Sequence, residues 1–120
     1  GFEMLPAAFS LVGMDGRLAH THWNSQPDGN YDQDNNVGVV NPHEAEALLY
    51  SLWAMGYAGW FGIDINPENI PVRKAVELNV RALRKLRDRV AGLPHERILE
   101  CHLRPAEHRG ELEEILIENL

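Results

Sequence analysis

Two pairs of potential metal ligands lie close together in the first third of the sequence. His20 and His22 are two residues apart, and so are Asp32 and Asp34. Residues at positions i and i+2 of an extended segment point to the same side, so each pair presents its two side chains together. Two carboxylates held that close repel each other unless a cation or a proton lies between them. Oxygen ligands with an occasional imidazole suit Mg²⁺, Mn²⁺ or Co²⁺, so the spacing predicts a divalent-metal site.

The simplest alternative is that this polar segment is a solvated turn. Residues 24–36 contain proline, glycine and several Asp and Asn residues, a composition that favours turns. A calcium-binding loop is a second alternative, because acidic and amide residues alternate from Asp28 onward. That pattern fails at Gln33, where such loops need Gly, and at Val39, where they need a bidentate Glu. The plain turn and the metal site both remain open on composition alone.

The elements that must position these ligands are short strands alternating with amphipathic helices. The predicted order is a short helix over 6–13, a strand over 17–23, the polar loop, a helix between Asn41 and Gly56, a strand over 57–65, a helix over 71–91 and a last helix over 111–120. The second strand is apolar on both faces, as buried parallel strands are, and carries Asp64 near its C-terminal end. Two parallel strands, each followed by a helix, form a βαβα unit and indicate an α/β architecture.

Composition restricts the classes of function. The chain has 120 residues, 44% of them hydrophobic, and a net charge of −7, which argues against sequence-independent nucleic-acid binding. The basic residues on the 71–91 helix interleave with its apolar stripe, so we expect a solvated outer face. The single cysteine, Cys101, fits a reducing compartment. No apolar run reaches the roughly 18 to 20 residues that span a bilayer, so we expect a cytoplasmic protein with no membrane partner.

Three blocks of the sequence resemble the last strands of the xylose isomerase-like TIM barrels. The blocks are Leu18-Ala-His-Thr-His-Trp-Asn-Ser-Gln26, Tyr31-Asp-Gln-Asp34 and Gly62-Ile-Asp-Ile65, and their spacings agree without a gap. The resemblance implies that Asp64 is a ligand of a first metal, and that Asp32 and Asp34 are ligands of a second. His22 stands where xylose isomerase has an aspartate ligand and L-rhamnose isomerase has a histidine. The resemblance therefore adds His22 to the expected ligands, and this histidine makes the chain more similar to the rhamnose isomerase type.

The resemblance also implies the fold. It identifies the chain as the C-terminal strands and helices of a (β/α)₈ TIM barrel, an α/β fold that is incomplete here, since a closed barrel needs about 250 residues. We expect a single domain over residues 1–120. Its last two βα units would lie at about 17–91, and a C-terminal helical extension would cover 92–120.

The implied function is a metal-dependent aldose–ketose sugar isomerase that moves a hydride at a two-metal site. Mn²⁺, Mg²⁺ or Co²⁺ is then the cofactor, and a small-molecule sugar the substrate. Trp23, beside His22, is the candidate for stacking on the sugar, and Asn24 is a second substrate-binding candidate. No catalytic residue is assigned, because the family takes those from earlier strands. We expect this chain to be inactive alone, and to form a homo-oligomer or associate with the missing barrel portion.

Two other functions remain open. A sugar epimerase of the same superfamily would abstract a proton at a single metal, whereas the Asp32 and Asp34 pair favours two metals. A non-catalytic half-barrel module for assembly or binding would instead pair its exposed strand edges with another chain.

Overall fold

The structure is a computed structural model that describes residues 8, 10, 11, 13, 15–27, 29 and 33–120. The chain divides into two compact units, Gly1–Val90 and Ala91–Leu120. The first unit contains β1 (His20–Trp23), α1 (Pro42–Ala54), β2 (Trp60–Ile63) and most of α2 (Val72–Gly92). The second unit contains α3 (His95–Leu103) and α4 (Glu111–Glu118). Across the described part of the chain, no helix is both long and apolar enough to cross a membrane.

The strands and helices of the first unit follow the predicted βαβα order. β1 and β2 pair in parallel, with His20 opposite Trp60 and Trp23 opposite Ile63. A parallel pair needs a crossover connection, and the segment containing α1 provides it. α1 begins as predicted, with Asn41 at the N-cap and proline at its first position. The polar loop and the two helices therefore occupy the expected places along the chain.

The predicted (β/α)₈ barrel portion is wrong. The described residues form a mostly helical structure with a two-stranded parallel sheet and no barrel. Eight tilted strands are needed to close such a barrel, whereas the part of the chain that the structure describes has two strands of four residues, with both outer edges unpaired there. The expected burial of the second strand on both faces is also wrong, since Trp60 is 78% exposed and Phe61 is 40% exposed.

The core of the first unit packs against one face of β1. Trp23 belongs to a buried cluster with Leu49 and Leu52 of α1 and with Leu86 and Val90 of α2. These positions follow the 3.6-residue period of each helix, which turns one apolar stripe inward. Each fully buried side chain of this size contributes roughly 1.5 to 3 kcal/mol relative to exposure. This cluster fixes β1, and with it the polar residues at the end of β1.

We expect Gly59→Ala to destabilise the first unit by about 1 to 2 kcal/mol. A Cβ at Gly59 would overlap the carbonyl oxygen of Ala19, and a backbone atom at the start of the neighbouring strand cannot rotate away. Gly92→Ala is the matched control, because a Cβ there meets nothing and the residue is helical. Urea unfolding followed by circular dichroism measures both variants. An equal loss of stability in the two would show that the overlap is not the cause.

Candidate metal and sugar site

The exposed face of the sheet carries the predicted ligands of β1 and β2. Partners in a parallel pair project to the same side, so His20 and His22 share a face with Gly62 and Asp64. The amide of Asp64 donates to the carbonyl of Trp23 at 3.1 Å, which extends the pairing past the last residue of each strand. The face opposite the core therefore carries two imidazoles along β1, and one of them, His22, lies beside the carboxylate that follows β2.

Gly62 leaves the space that the two histidine rings occupy. A Cβ at this position would lie 2.7 Å from Nε2 of His20 and 2.9 Å from Cδ2 of His22. The two rings meet edge to face, with 4.9 Å between their centroids. A glycine in a strand often marks such a close approach.

We expect Gly62→Ala to push both imidazoles away from β2 and to lower the free energy of unfolding by about 1 kcal/mol, because the exposed rings can move whereas the backbone carbonyl oxygen of Thr21, 3.2 Å from the added Cβ, must shift slightly. Two-dimensional ¹H–¹⁵N spectra of the imidazoles would report the displacement as changed chemical shifts of His20 and His22. The signals of His43, on α1, serve as the internal reference. Unchanged signals from the β1 histidines would contradict the proposed crowding.

His22 and Asp64 form the central contact of this face. Nδ1 of His22 lies 3.2 Å from Oδ2 of Asp64, and both side chains are more than half exposed. An exposed pair of this kind adds little to stability. Two neighbouring ligands of an octahedral cation, each about 2.1 Å from it, are about 3 Å apart. The observed separation therefore fits two ligands of one cation.

Asp34 is held beside the end of β2 by its backbone and its carboxylate. Its carbonyl accepts the amide of Asn66 at 2.9 Å, and its Oδ1 accepts the side-chain amide of Asn24 at 2.6 Å. Its φ is 46°, the left-handed region that disfavours residues with a Cβ but tolerates aspartate. Backbone strain of this kind concentrates at functional sites, which singles out Asp34 within the polar loop.

Hydrogen bonds close the polar loop at its base. Ser25 and Asn35 exchange two backbone hydrogen bonds, at 2.9 and 3.0 Å. The buried hydroxyl of Ser25 also accepts the amide of Val40 at 3.1 Å. The loop thus leaves β1 and returns to the same point, and Asp34 precedes the residue where it closes.

Asn79 is a further residue of the site that the sequence prediction missed. It is fully buried on α2, where its Oδ1 accepts the amide of Val37 at 2.7 Å and its Nδ2 donates to Oδ1 of Asn36 at 2.7 Å. The signal was present, because Asn79 falls on the apolar stripe of the helix, between Ala75 and Leu86. A buried polar side chain on such a stripe normally has a specific partner.

The structure brings together some of the predicted site residues and not others. His22 meets Asp64, but Asp34 does not join them in a three-ligand group among the residues described. Asp32 lies outside the described residues. Trp23 is 5% exposed, and its ring stacks on Phe61 at 5.6 Å between centroids. The sugar-stacking role of this indole stays a prediction, although its burial turns the ring toward the core.

An open cleft of about 390 Å³ lies beside the polar loop. Five of its lining residues are carboxamides, and a sixth is the carboxylate Glu68; the carboxamides are Gln33, Asn35, Asn36, Asn66 and Asn69. A carboxamide both donates and accepts hydrogen bonds, as a sugar hydroxyl does. The cleft has a size typical of small-ligand sites, and Asp34 lies between two of its lining residues in the chain.

A second group of ligands lies in the unit Ala91–Leu120. Cys101, His108 and Glu111 place one ligand atom each within 4.8 Å of one another. The hydrogen bond from His108, and next the one from Arg97, lower the pKa of the Glu111 carboxyl. Burial, and next the charge of Glu111, raise the pKa of the Cys101 thiol. The sequence prediction assigned no role to these residues, because 93–109 gave little readable pattern and Glu111 was only the first residue of the predicted last helix.

The Glu111 contacts predict an acid dependence. A carboxyl whose pKa is lower in the folded state stabilises that state above its ordinary value of 4.5, and the contribution is lost as the pH falls through the folded-state pKa. We therefore expect faster hydrogen exchange of the α4 amides, after correction for intrinsic rates, as the pH drops below 4.5. Glu111→Gln should remove most of this dependence, while the exposed Glu114→Gln should keep it. Identical profiles in both variants would contradict the assignment.

The chain thus presents two separate groups of potential ligands, one of oxygen and nitrogen atoms and one that includes sulfur. The first lies on the exposed sheet face and the second lies between α3 and α4. No family model matches this chain, and no curated protein or solved structure shows a significant match to it.

Proposed function

We propose that this protein binds a divalent cation through His22 and Asp64 and uses it on an open-chain sugar, as a metal-dependent aldose–ketose isomerase does. The observation that carries the proposal is the 3.2 Å contact between Nδ1 of His22 and Oδ2 of Asp64 at the ends of two parallel strands. Function is argued from such a site and not from a fold. The proposal therefore does not depend on the barrel.

The ligand chemistry selects the class of cation. One imidazole nitrogen and carboxylate oxygens favour Mn²⁺, Mg²⁺ or Co²⁺. When bound, such a cation supplies Lewis-acid polarisation of a carbonyl or hydroxyl oxygen. His22 and Asp64 hold it, and their exposure leaves its remaining positions open to substrate oxygens. Asp32 and Asp34 remain the ligands proposed for a second cation.

The cleft beside the polar loop supports a sugar as the ligand. Its carboxamides provide donors and acceptors for several hydroxyl groups without a concentrated charge. Asn24, the second substrate-binding candidate, donates its side-chain amide to Oδ1 of Asp34 at 2.6 Å. We further propose that the protein acts in the cytoplasm, and that a second copy or another chain completes the exposed site.

A single-metal sugar epimerase is the second candidate, and one observation favours it. In the portion of the chain that is described, His22 and Asp64 approach as two ligands of one cation, whereas Oδ1 of Asp34 already accepts the amide of Asn24. One cation suits proton abstraction beside a carbonyl. The two reactions differ in the fate of the hydrogen, because a hydride stays on the sugar and an abstracted proton exchanges with solvent.

A Mn²⁺ titration of the full chain tests the binding half of the proposal. Electron paramagnetic resonance of free Mn²⁺ should show that the chain takes up a cation, and a linear pentitol or hexitol should tighten this uptake. The polyol stands in for an open-chain sugar that cannot react. A free Mn²⁺ signal equal to that in buffer would overturn the site.

The reaction is tested in D₂O with the metal-loaded protein and a panel of pentoses and hexoses. If the protein is an isomerase, NMR of the product should show a ketose with no deuterium at either of the two carbons between which the hydride moves. Deuterium at the inverted carbon of an epimer would establish the epimerase instead. Metal and polyol binding with no conversion of any sugar would reject both enzymes in favour of a binding module.

A further inference from the structure

We propose that the unit Ala91–Leu120 binds Zn²⁺ through Cys101, His108 and Glu111, at a site distinct from that of His22 and Asp64. The three potential ligand atoms lie within 4.8 Å of one another. Cys101 is 6% exposed, and the side chains of His108 and Glu111 are 26% and 28% exposed. A sulfur, a nitrogen and an oxygen ligand thus converge where α4 packs against α3.

The separations that zinc requires fall within the 4.8 Å that limits the distances among the three ligand atoms. Zn–S bonds of about 2.3 Å, and Zn–N and Zn–O bonds of about 2.0 Å, place the sulfur about 3.5 Å from the nitrogen and the nitrogen about 3.3 Å from the oxygen in a tetrahedron. Nδ1 of His108 is now 2.6 Å from Oε2 of Glu111. Small side-chain rotations that separate these two atoms therefore admit the cation.

The ligand types favour zinc over the Mg²⁺ and Mn²⁺ proposed for the first unit. A thiolate is a soft ligand that selects Zn²⁺, whereas Mg²⁺ and Mn²⁺ prefer oxygen. Three protein ligands leave the fourth tetrahedral position to water. The thiolate and the carboxylate together balance the two charges of the cation.

Arg97 fixes the carboxylate in a suitable orientation. Its Nε donates to Oε1 of Glu111 at 3.0 Å, which leaves Oε2 directed toward His108 and available to the cation. Such a second interaction orients a ligand and commonly changes metal affinity by tenfold or more. The thiolate, and not the thiol, is the form of cysteine that binds a metal ion. Binding therefore releases the thiol proton to solvent, and acid weakens it.

Co²⁺ titration of the full chain tests the site, because a thiolate bound to Co²⁺ gives an intense charge-transfer absorption in the near ultraviolet. The His22 and Asp64 site has no sulfur and cannot give this signal. We expect the band to reach the intensity of one thiolate-bound Co²⁺ per chain, to disappear when Zn²⁺ is added, and to be accompanied by protection of Cys101 from a thiol reagent. Co²⁺ uptake by the folded protein with no such band would overturn the proposal.

Three variants assign the ligands. Cys101→Ser, which nearly preserves size, should abolish the charge-transfer band. His108→Gln should keep the band but weaken Co²⁺ affinity at least tenfold, while His102→Gln, at an exposed position of α3, should match the unaltered protein. Far-ultraviolet circular dichroism confirms that each variant is folded. Equal affinity in His108→Gln and His102→Gln would remove His108 from the site and reject the three-ligand proposal.

Discussion

Asn79→Leu is expected to lower the free energy of unfolding by about 2 to 4 kcal/mol. Leucine has the same branching and the same number of side-chain heavy atoms as asparagine, and it is the better helix former, so the loss is not due to helix propensity. The side chain of Asn79 makes three hydrogen bonds, to the amide of Val37, to Oδ1 of Asn36 and to the carbonyl of Ala75. Since Val37 is 3% exposed, its amide would be left buried without a partner.

Urea unfolding measures this loss, and an exposed site on the same helix provides its control. Arg84→Leu also adds a leucine to α2, at an exposed position, and should change stability by less than about 0.5 kcal/mol. Because Asn79 holds the base of the polar loop, Asn79→Leu should also speed hydrogen exchange of the Val37 amide beyond that of the other amides in the unit. If Asn79→Leu lowered the free energy of unfolding by less than about 1 kcal/mol, a water molecule would have replaced the carboxamide as hydrogen-bond partner of the Val37 amide.

The order of strands and helices in the first unit could be predicted because its signals are local. Asn41 followed by proline marks the start of α1, and the stripe of α2 repeats with the helical period. Whether the strands close into a barrel could not be predicted from such local signals, because closure depends on strands that pair far apart in sequence. The apolar run of β2 indicates a strand, but no local pattern tells which neighbours cover Trp60 and Phe61.

The candidate site was likewise predictable only where its residues are close together in sequence. The two-residue spacing of His20 and His22 places them on one face once their segment is read as a strand. The register that brings Asp64 to His22 required two strands to pair, and the family resemblance suggested this pairing where composition could not. The ligands of the second unit were missed because Cys101 lies on α3 and Glu111 on α4. No periodic pattern connects residues whose proximity arises only when two helices pack.

Asp64→Asn is expected to have the largest effect on Mn²⁺ affinity among the substitutions that keep the fold, a loss of more than about tenfold. A neutral amide oxygen replaces a charged ligand, and metal sites of this class depend on carboxylates. The free energy of unfolding should change by less than about 1 kcal/mol, because the pair with His22 is exposed. Asp15→Asn removes the same charge from an exposed turn and should leave Mn²⁺ binding unchanged.

The double variant His22→Gln, Asp64→Asn decides whether the two residues share one cation. If they do, either single substitution removes most of the binding, and the combined loss is smaller than the sum of the two single losses in free energy. Additive losses would indicate independent sites. An equal loss in Asp15→Asn would show that Mn²⁺ responds to the net charge of −7 and not to a defined pair of ligands. The contact at the ends of β1 and β2 would then be only an exposed hydrogen bond.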